Sequence, residues 1–176
     1  MKQSGFTLIE IVIVILILSI VVPGVVGGLR TMVVQSNRAE AMTVATDLAR
    51  YYMELALSKR FDETPAPFCN GGCPQPVWSA TLGSDAGEAG IGAFDDVDDF
   101  HNYSQNPITI GSDTFSGYSV TMNVAYMTVD ASAGVEDGVW GTATSAGATN
   151  AKRVRVVVTH ALIGDVTLNC ITGAIY

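Results

Sequence analysis

The chain has 176 residues, of which 48% are hydrophobic and only 15% charged, with a mean hydropathy of +0.34. That content excludes a disordered protein. Nine Lys and Arg against 17 Asp and Glu, a net charge of −8, exclude a basic nucleic-acid-binding face. Three Cys and two His supply no four-ligand set with zinc-finger or zinc-ribbon spacing.

The apolar excess lies at one end, where residues 6–29 contain a single charge, Glu10. As a helix this stretch is about 36 Å long, enough to cross a hydrocarbon core of about 30 Å. Lys2 precedes it and Arg30 follows it. The positive leader favours a cytoplasmic short end, with the remainder of the chain outside. That remainder is long enough to bury a core of its own. A secretory signal would need a small-residue cleavage site after the apolar run, and none follows. A plain anchor leaves Glu10 unexplained, because a carboxylate in a membrane helix costs roughly 2.5–3.5 kcal/mol. A cut after Gly5 would give Phe6 a new amino group four residues before Glu10, and the two could pair within or between subunits.

Gly5, Phe6, Thr7, Leu8, Ile9 and Glu10 together resemble the processing motif of type IV pilins and type II secretion pseudopilins. The resemblance implies cleavage after Gly5 by a membrane prepilin peptidase, N-methylation of Phe6, and alignment of incoming subunits by Glu10. Pro23 and Gly24, with Gly27 and Gly28, predict a kink or a locally unwound turn. Pilins carry a proline near this point, and their helix loosens there on packing.

Residues 30–61 read as the second half of the same helix. Ala41, Ala45, Leu48, Tyr52, Leu55 and Ala56 form one apolar stripe. Pro65, Pro67, Pro74 and Pro76 and many glycines then predict irregular structure over 62–116. Alternation returns in residues 117–176. Tyr118, Val120, Met122, Val124 and Tyr126 make one strand, Val154, Val156 and Val158 a second, and Val166, Leu168 and Cys170 a third after a turn at Gly164 and Asp165. Residues 131–150 are rich in small residues and carry Trp140. The order is α+β: a pilin-like long helix, membrane-spanning first and amphipathic later, packed on a small antiparallel sheet.

Cys69 and Cys73 enclose Asn70, Gly71 and Gly72, a sequence suited to a tight turn and a local disulfide in an exported domain. This pairing leaves Cys170 buried. Bridging Cys170 to either loop cysteine is the alternative.

Between residues 61 and 151 there is no Lys or Arg but there are twelve Asp and Glu. Asp95, Asp96, Asp98 and Asp99 crowd together. They suit either a calcium ion held by oxygen ligands, or a solvated loop that meets Arg153, Arg155 or a neighbour. Phe94 and Phe100 flank the cluster and are placed to staple it to the core. No other cofactor is expected. His101 and His160 have no partners at catalytic spacing, and no nucleophile elbow, P-loop or HExxH is present, so no enzymatic activity is expected.

Ser58, Lys59, Arg60, Phe61, Asp62 and Glu63, with residues 94–101, resemble MshD-type minor pilins of the mannose-sensitive haemagglutinin (MSHA) pilus. Asn102 departs from that pattern. The resemblance implies a minor fibre subunit, held in the inner membrane with its head in the periplasm and later carried to the cell surface. Its partners would be other pilins, the prepilin peptidase and the inner-membrane assembly platform. A secretion pseudopilin and a tip adhesin using Trp140 are the rival readings.

Overall fold

The computed structural model describes residues 7–63, 78–79, 81–127 and 149–173. Gly5, Phe6, Cys69, Cys73 and Trp140 lie outside the described residues. Two compact units divide the chain, Met1–Ala41 and Met42–Tyr176.

The helix α1 spans Leu8–Leu57. In the first unit every described residue from 7 to 40 is exposed, including the run of Leu, Ile and Val from Leu8 to Val34. The helix is long and apolar enough to cross a membrane. Its sequence resists helix formation at one place, yet α1 runs through Pro23 and Gly24 without an unwound turn. Proline withholds one N–H from the turn before it, at roughly 3 kcal/mol. Unwinding several residues in an apolar medium would strand more backbone groups than that. Hydroxyls also bond to carbonyls on either side, Ser19 Oγ to Leu16 O at 2.7 Å and Thr31 Oγ1 to Gly27 O at 3.0 Å. A Cβ added at Gly24, Gly27 or Gly28 would meet nothing within 4 Å, so no contact in this chain requires their smallness.

In the second unit the predicted stripe is the buried face of α1. Ala45, Leu48, Ala49, Tyr52, Met53 and Ala56 are buried, while Leu55 is half-buried. The helix ends at Leu57 rather than reaching 61. Ser58 closes it, its N–H bonding Glu54 O at 2.9 Å and its Oγ bonding Leu55 O at 2.7 Å. The three expected strands are present: β4 (Tyr118–Tyr126) has its expected limits, while β5 (Ala151–His160) and β6 (Gly164–Gly173) extend beyond their alternating cores. Residues 62–116 are not irregular throughout. They contain a 3-10 turn (Asp98–Phe100) and the short strands β1 (Ser104–Gln105), β2 (Ile108–Ile110) and β3 (Asp113–Phe115).

One antiparallel sheet has the order β1-β4-β5-β6, and β2 and β3 form a separate hairpin. Val120, Met122 and Val124 on β4 and Val154, Val156 and Val158 on β5 are all buried in the core that includes the α1 stripe. Full burial of each valine contributes roughly 1.5–3 kcal/mol. Gly164, at φ +82°, closes the three-residue β5–β6 loop in the left-handed conformation that such hairpins need. Cys170 is a free thiol and only half-buried, not buried as expected, because β6 is the last strand of the sheet.

Candidate functional site

Two places in the chain use charge in ways an ordinary fold does not require. The first is Glu10, in the first turn of α1. Its neighbours Ile9 and Ile11 are exposed, and the backbone N–H of Glu10 bonds Thr7 O at 3.1 Å. Among the described residues no cation or donor meets its carboxylate.

The second is a charged knot at the end of α1. Lys152 follows the inward parity of Val154, Val156 and Val158, and its side chain is fully buried. Its ammonium donates to Asp98 Oδ1 at 2.7 Å, to Asp62 Oδ2 at 3.3 Å and to Phe61 O. Three donors therefore have three acceptors. The rings of Phe61 and Tyr126 lie 4.5 and 5.2 Å from Nζ, so the cation also faces aromatic rings. Asp62 is filled further: Ser79 donates its N–H at 2.9 Å and its hydroxyl at 3.0 Å, and the Tyr126 hydroxyl lies at 3.3 Å. Trp78 closes this side, its ring 5.0 Å from that of Phe61 and its Nε1 donating to Asn150 Oδ1 at 2.9 Å.

Asp96, Asp98 and Asp99 of the clustered aspartates lie within this knot, Asp95 lies at its edge, and backbone N–H groups satisfy two of the four. Asp99 Oδ2 accepts the N–H groups of Asp95 and Asp96 at 2.9 and 3.1 Å. Asp96 Oδ1 accepts those of Asp98 and Asp99 at 3.0 and 3.3 Å. Asp98 meets Lys152, and Asp95 pairs with Arg60 at the surface. Burial, then the neighbouring Asp98, pushes the Asp96 carboxyl up to about 8. It therefore keeps its proton at neutral pH and can donate it to Asp98. The cations that meet the cluster are Lys152 and Arg60, not Arg153 and Arg155. The contacts present are therefore salt bridges and backbone hydrogen bonds. Phe94 and Phe100 are both buried, edge to face at 5.1 Å, and staple the turn to the core as expected.

The knot joins the two segments singled out from the sequence, residues 58–63 and 94–101. Arg60 N–H bonds Asp95 O and Val97 N–H bonds Arg60 O, forming a parallel bridge between Arg60 and Asp96. Lys59 Nζ donates to Phe94 O at 2.6 Å. Sequence reasoning missed Lys152, Trp78 and Tyr126 as members. A signal for Lys152 was present: a lysine at the inward parity of an alternating valine strand has to find a buried anion.

Outside the knot, Glu63, Glu88 and Asp95 place carboxylate oxygens within 4.8 Å of one another at the surface. A shared hydrogen bond with Asp85, and the charges around it, raise Glu63 to about 7. Glu88 is raised by its hydrogen bond to Asp99.

Residues 1–22 match the family model described as the prokaryotic N-terminal methylation motif. The match supports a type IV pilin-like prepilin, a class of structural subunits rather than enzymes. Together with the apolar helix it is consistent with membrane anchoring before assembly. No curated protein and no solved structure matches the chain.

Proposed function

We propose that this chain is a minor structural subunit of a type IV, MSHA-like pilus, cut after Gly5, methylated on Phe6 and assembled through its N-terminal helix. The observation that carries the reading is the methylation motif at residues 1–22 on an apolar stretch, residues 6–29, exposed over its described part, whose one carboxylate, Glu10, has no partner among the described residues. Before assembly the helix is held by lipid. In the fibre it exchanges lipid contacts for the helices of other pilins. An ammonium at Phe6, generated by the cut, supplies the missing cation to Glu10 of a neighbour. In a low-dielectric setting this pairing offsets the cost of burying the carboxylate. Pairing of this kind sets the axial position of the incoming helix, because only one stagger brings the two groups together.

Glu10→Val tests the mechanism. The variant is expected to be processed and to remain in the membrane, yet to be scarce in isolated fibres by immunoblot. Fibres with a normal content of the variant would remove Glu10 from assembly. The secretion pseudopilin is the second reading, and both readings share the helix. The joining of residues 58–63 to residues 94–101, the two segments that resemble MSHA minor pilins, favours the pilus. Deleting the gene distinguishes them: surface fibres are lost in one case, secreted enzymes in the other. Attachment by the head is a further role to test, with fluorescence of Trp140 on candidate glycans as the readout.

A further inference from the structure

The knot holds an amine and a carboxyl group in contact, away from water. The side chains of Lys152 and Asp62 are fully buried, and that of Asp98 nearly so. Nζ of Lys152 lies 2.7 Å from Asp98 Oδ1, so the nitrogen stands one atom away from a carboxyl carbon. The rings of Phe61 and Tyr126 face the same nitrogen, and Trp78 packs on Phe61. Such a shell keeps water from the pair and strengthens every electrostatic interaction inside it.

An ordinary buried ion pair has two groups. This one has four, and the additional two stand where acid–base chemistry needs them. On the amine side, Asp62 Oδ2 accepts from Nζ at 3.3 Å, and Ser79 and Tyr126 hold that carboxylate in place. On the carboxyl side, Asp96 is buried beside Asp98, keeps its proton and shares it with Asp98. Asp96 Oδ1 accepts the N–H groups of Asp98 and Asp99, which leaves the proton to Oδ2.

We propose that Lys152 and Asp98 condense inside the folded head into an amide, an isopeptide bond that the chain forms by itself. Asp62 takes one proton from Nζ, and the freed lone pair attacks Cγ of Asp98. Asp96 gives its proton to the carboxyl oxygen that departs. The nitrogen–carbon bond forms, one carbon–oxygen bond of Asp98 breaks, and that oxygen leaves as water. Nitrogen gives up two of its three protons and water carries two away, so Asp62 and Asp96 end as they began. No oxidant or co-reactant takes part. Contact between the two groups makes the step unimolecular. The product replaces two buried charges by one neutral amide, which removes the cost of keeping them from water. The link joins positions 54 residues apart and constrains the unfolded chain as a disulfide does, without a cysteine. The ion pair is the state before condensation, and stabilities set by its charges belong to that state.

The test uses the full chain, purified in detergent, reduced and weighed intact by mass spectrometry. The expected mass is lower by one water than the sequence requires. Cyanogen bromide cuts after Met53, Met122 and Met127, so Asp98 lies in fragment 54–122 and Lys152 in fragment 128–176. The two fragments are expected to stay joined under reduction, and tandem spectra to place the bond between Lys152 and Asp98. Lys152→Arg keeps a cation without an attacking amine and is expected to abolish the link. Asp96→Asn keeps the shape and the acceptor at position 96 but lacks the acid. Pulse labelling during synthesis is expected to show its link forming about 100-fold more slowly than the parent's. A parent chain of full mass, whose fragments separate, overturns the proposal. So does a bond from Lys152 to Asp62, a joined pair that persists in Lys152→Arg, or Asp96→Asn linking at the parental rate. None of these groups takes part in the pairing of Glu10, so this result and that of Glu10→Val fail independently.

Discussion

Glu10 and Asp98 are both carboxylates in apolar surroundings, but the chain treats them differently. Asp98 is buried and meets Lys152 at 2.7 Å, within a knot where each ammonium proton has an acceptor. Glu10 stands on an exposed apolar helix, and its carboxylate meets no donor among the described residues. A fold that completes one site and leaves the other open separates two tasks. The charge completed inside the chain fixes the head. The charge left open is available to another molecule.

The comparison can be broken most sharply at Lys152. Replacing it by Met leaves Asp62 and Asp98 buried without a cation, at an expected cost of about 3–5 kcal/mol. That is a large part of the about 5–15 kcal/mol typical of a domain. Urea unfolding of the full chain in detergent, followed by tryptophan emission, reads the loss. Adding Asp62→Asn and Asp98→Asn should return part of it, and a Met variant as stable as the parent would show that the knot does not hold the head.

Asp96 sharpens the same contrast through pH. Unfolded, its carboxyl titrates near 3.9; folded, it is raised to about 8. Folding therefore takes up a proton between those values, and the contribution of Asp96 to stability is lost as pH rises from about 4 to about 8. Asp96→Asn keeps an acceptor for the Asp98 and Asp99 N–H groups but carries no charge. Its advantage over the parent should grow across that window to about 1–3 kcal/mol at pH 8. Melting curves at pH 4.5, 6.5 and 8.5 measure this, and a constant offset would refute the shift.

Smaller effects follow. Tyr52→Phe removes a buried hydroxyl that donates to Gln105 Oε1 at 2.6 Å, and should cost about 1 kcal/mol in the same unfolding assay. Glu10→Val should move head stability by less than about 0.5 kcal/mol while affecting assembly. Unfolding of the two proteins side by side checks that separation, because a destabilised head would explain poor incorporation without any role for the carboxylate. Millimolar calcium against chelator is expected to leave melting unchanged, since backbone donors, Lys152 and Arg60 already meet the aspartates. A rise in melting temperature would reopen the cation reading.

Much of the architecture was legible because its periods are long. The α1 stripe repeats over several turns, and β4 matches its expected limits from Tyr118 to Tyr126 because nine residues of alternation leave little ambiguity. Strands β1, β2 and β3 have only two or three residues each, too few for a period to register among turn residues. At Pro23 the chain stays helical, because opening several residues of backbone in an apolar setting costs more than the one N–H that proline withholds. The aspartate cluster was visible as composition, but its cation was not. Lys152 lies 54 residues from Asp98 and 90 from Asp62, and only the pairing of β5 with β4 and β6 brings it there. The surface patch of Glu63, Glu88 and Asp95 was hidden for the same reason.

Strand β5 sorts its own three cations, Lys152, Arg153 and Arg155, and it does so by odd and even positions alone. Its ten residues pair one for one with β6, and nine of the ten with β4, without a bulge. One residue inserted between Lys152 and Arg153, with the pairing from Arg153 onward kept, would turn Lys152 to the outer face. Asp62 and Asp98 would lose their cation through a change of length, with every original residue still present. For this strand, counting is the information that selection has to protect, and a codon gained or lost there should be harsher than most substitutions on its outward face.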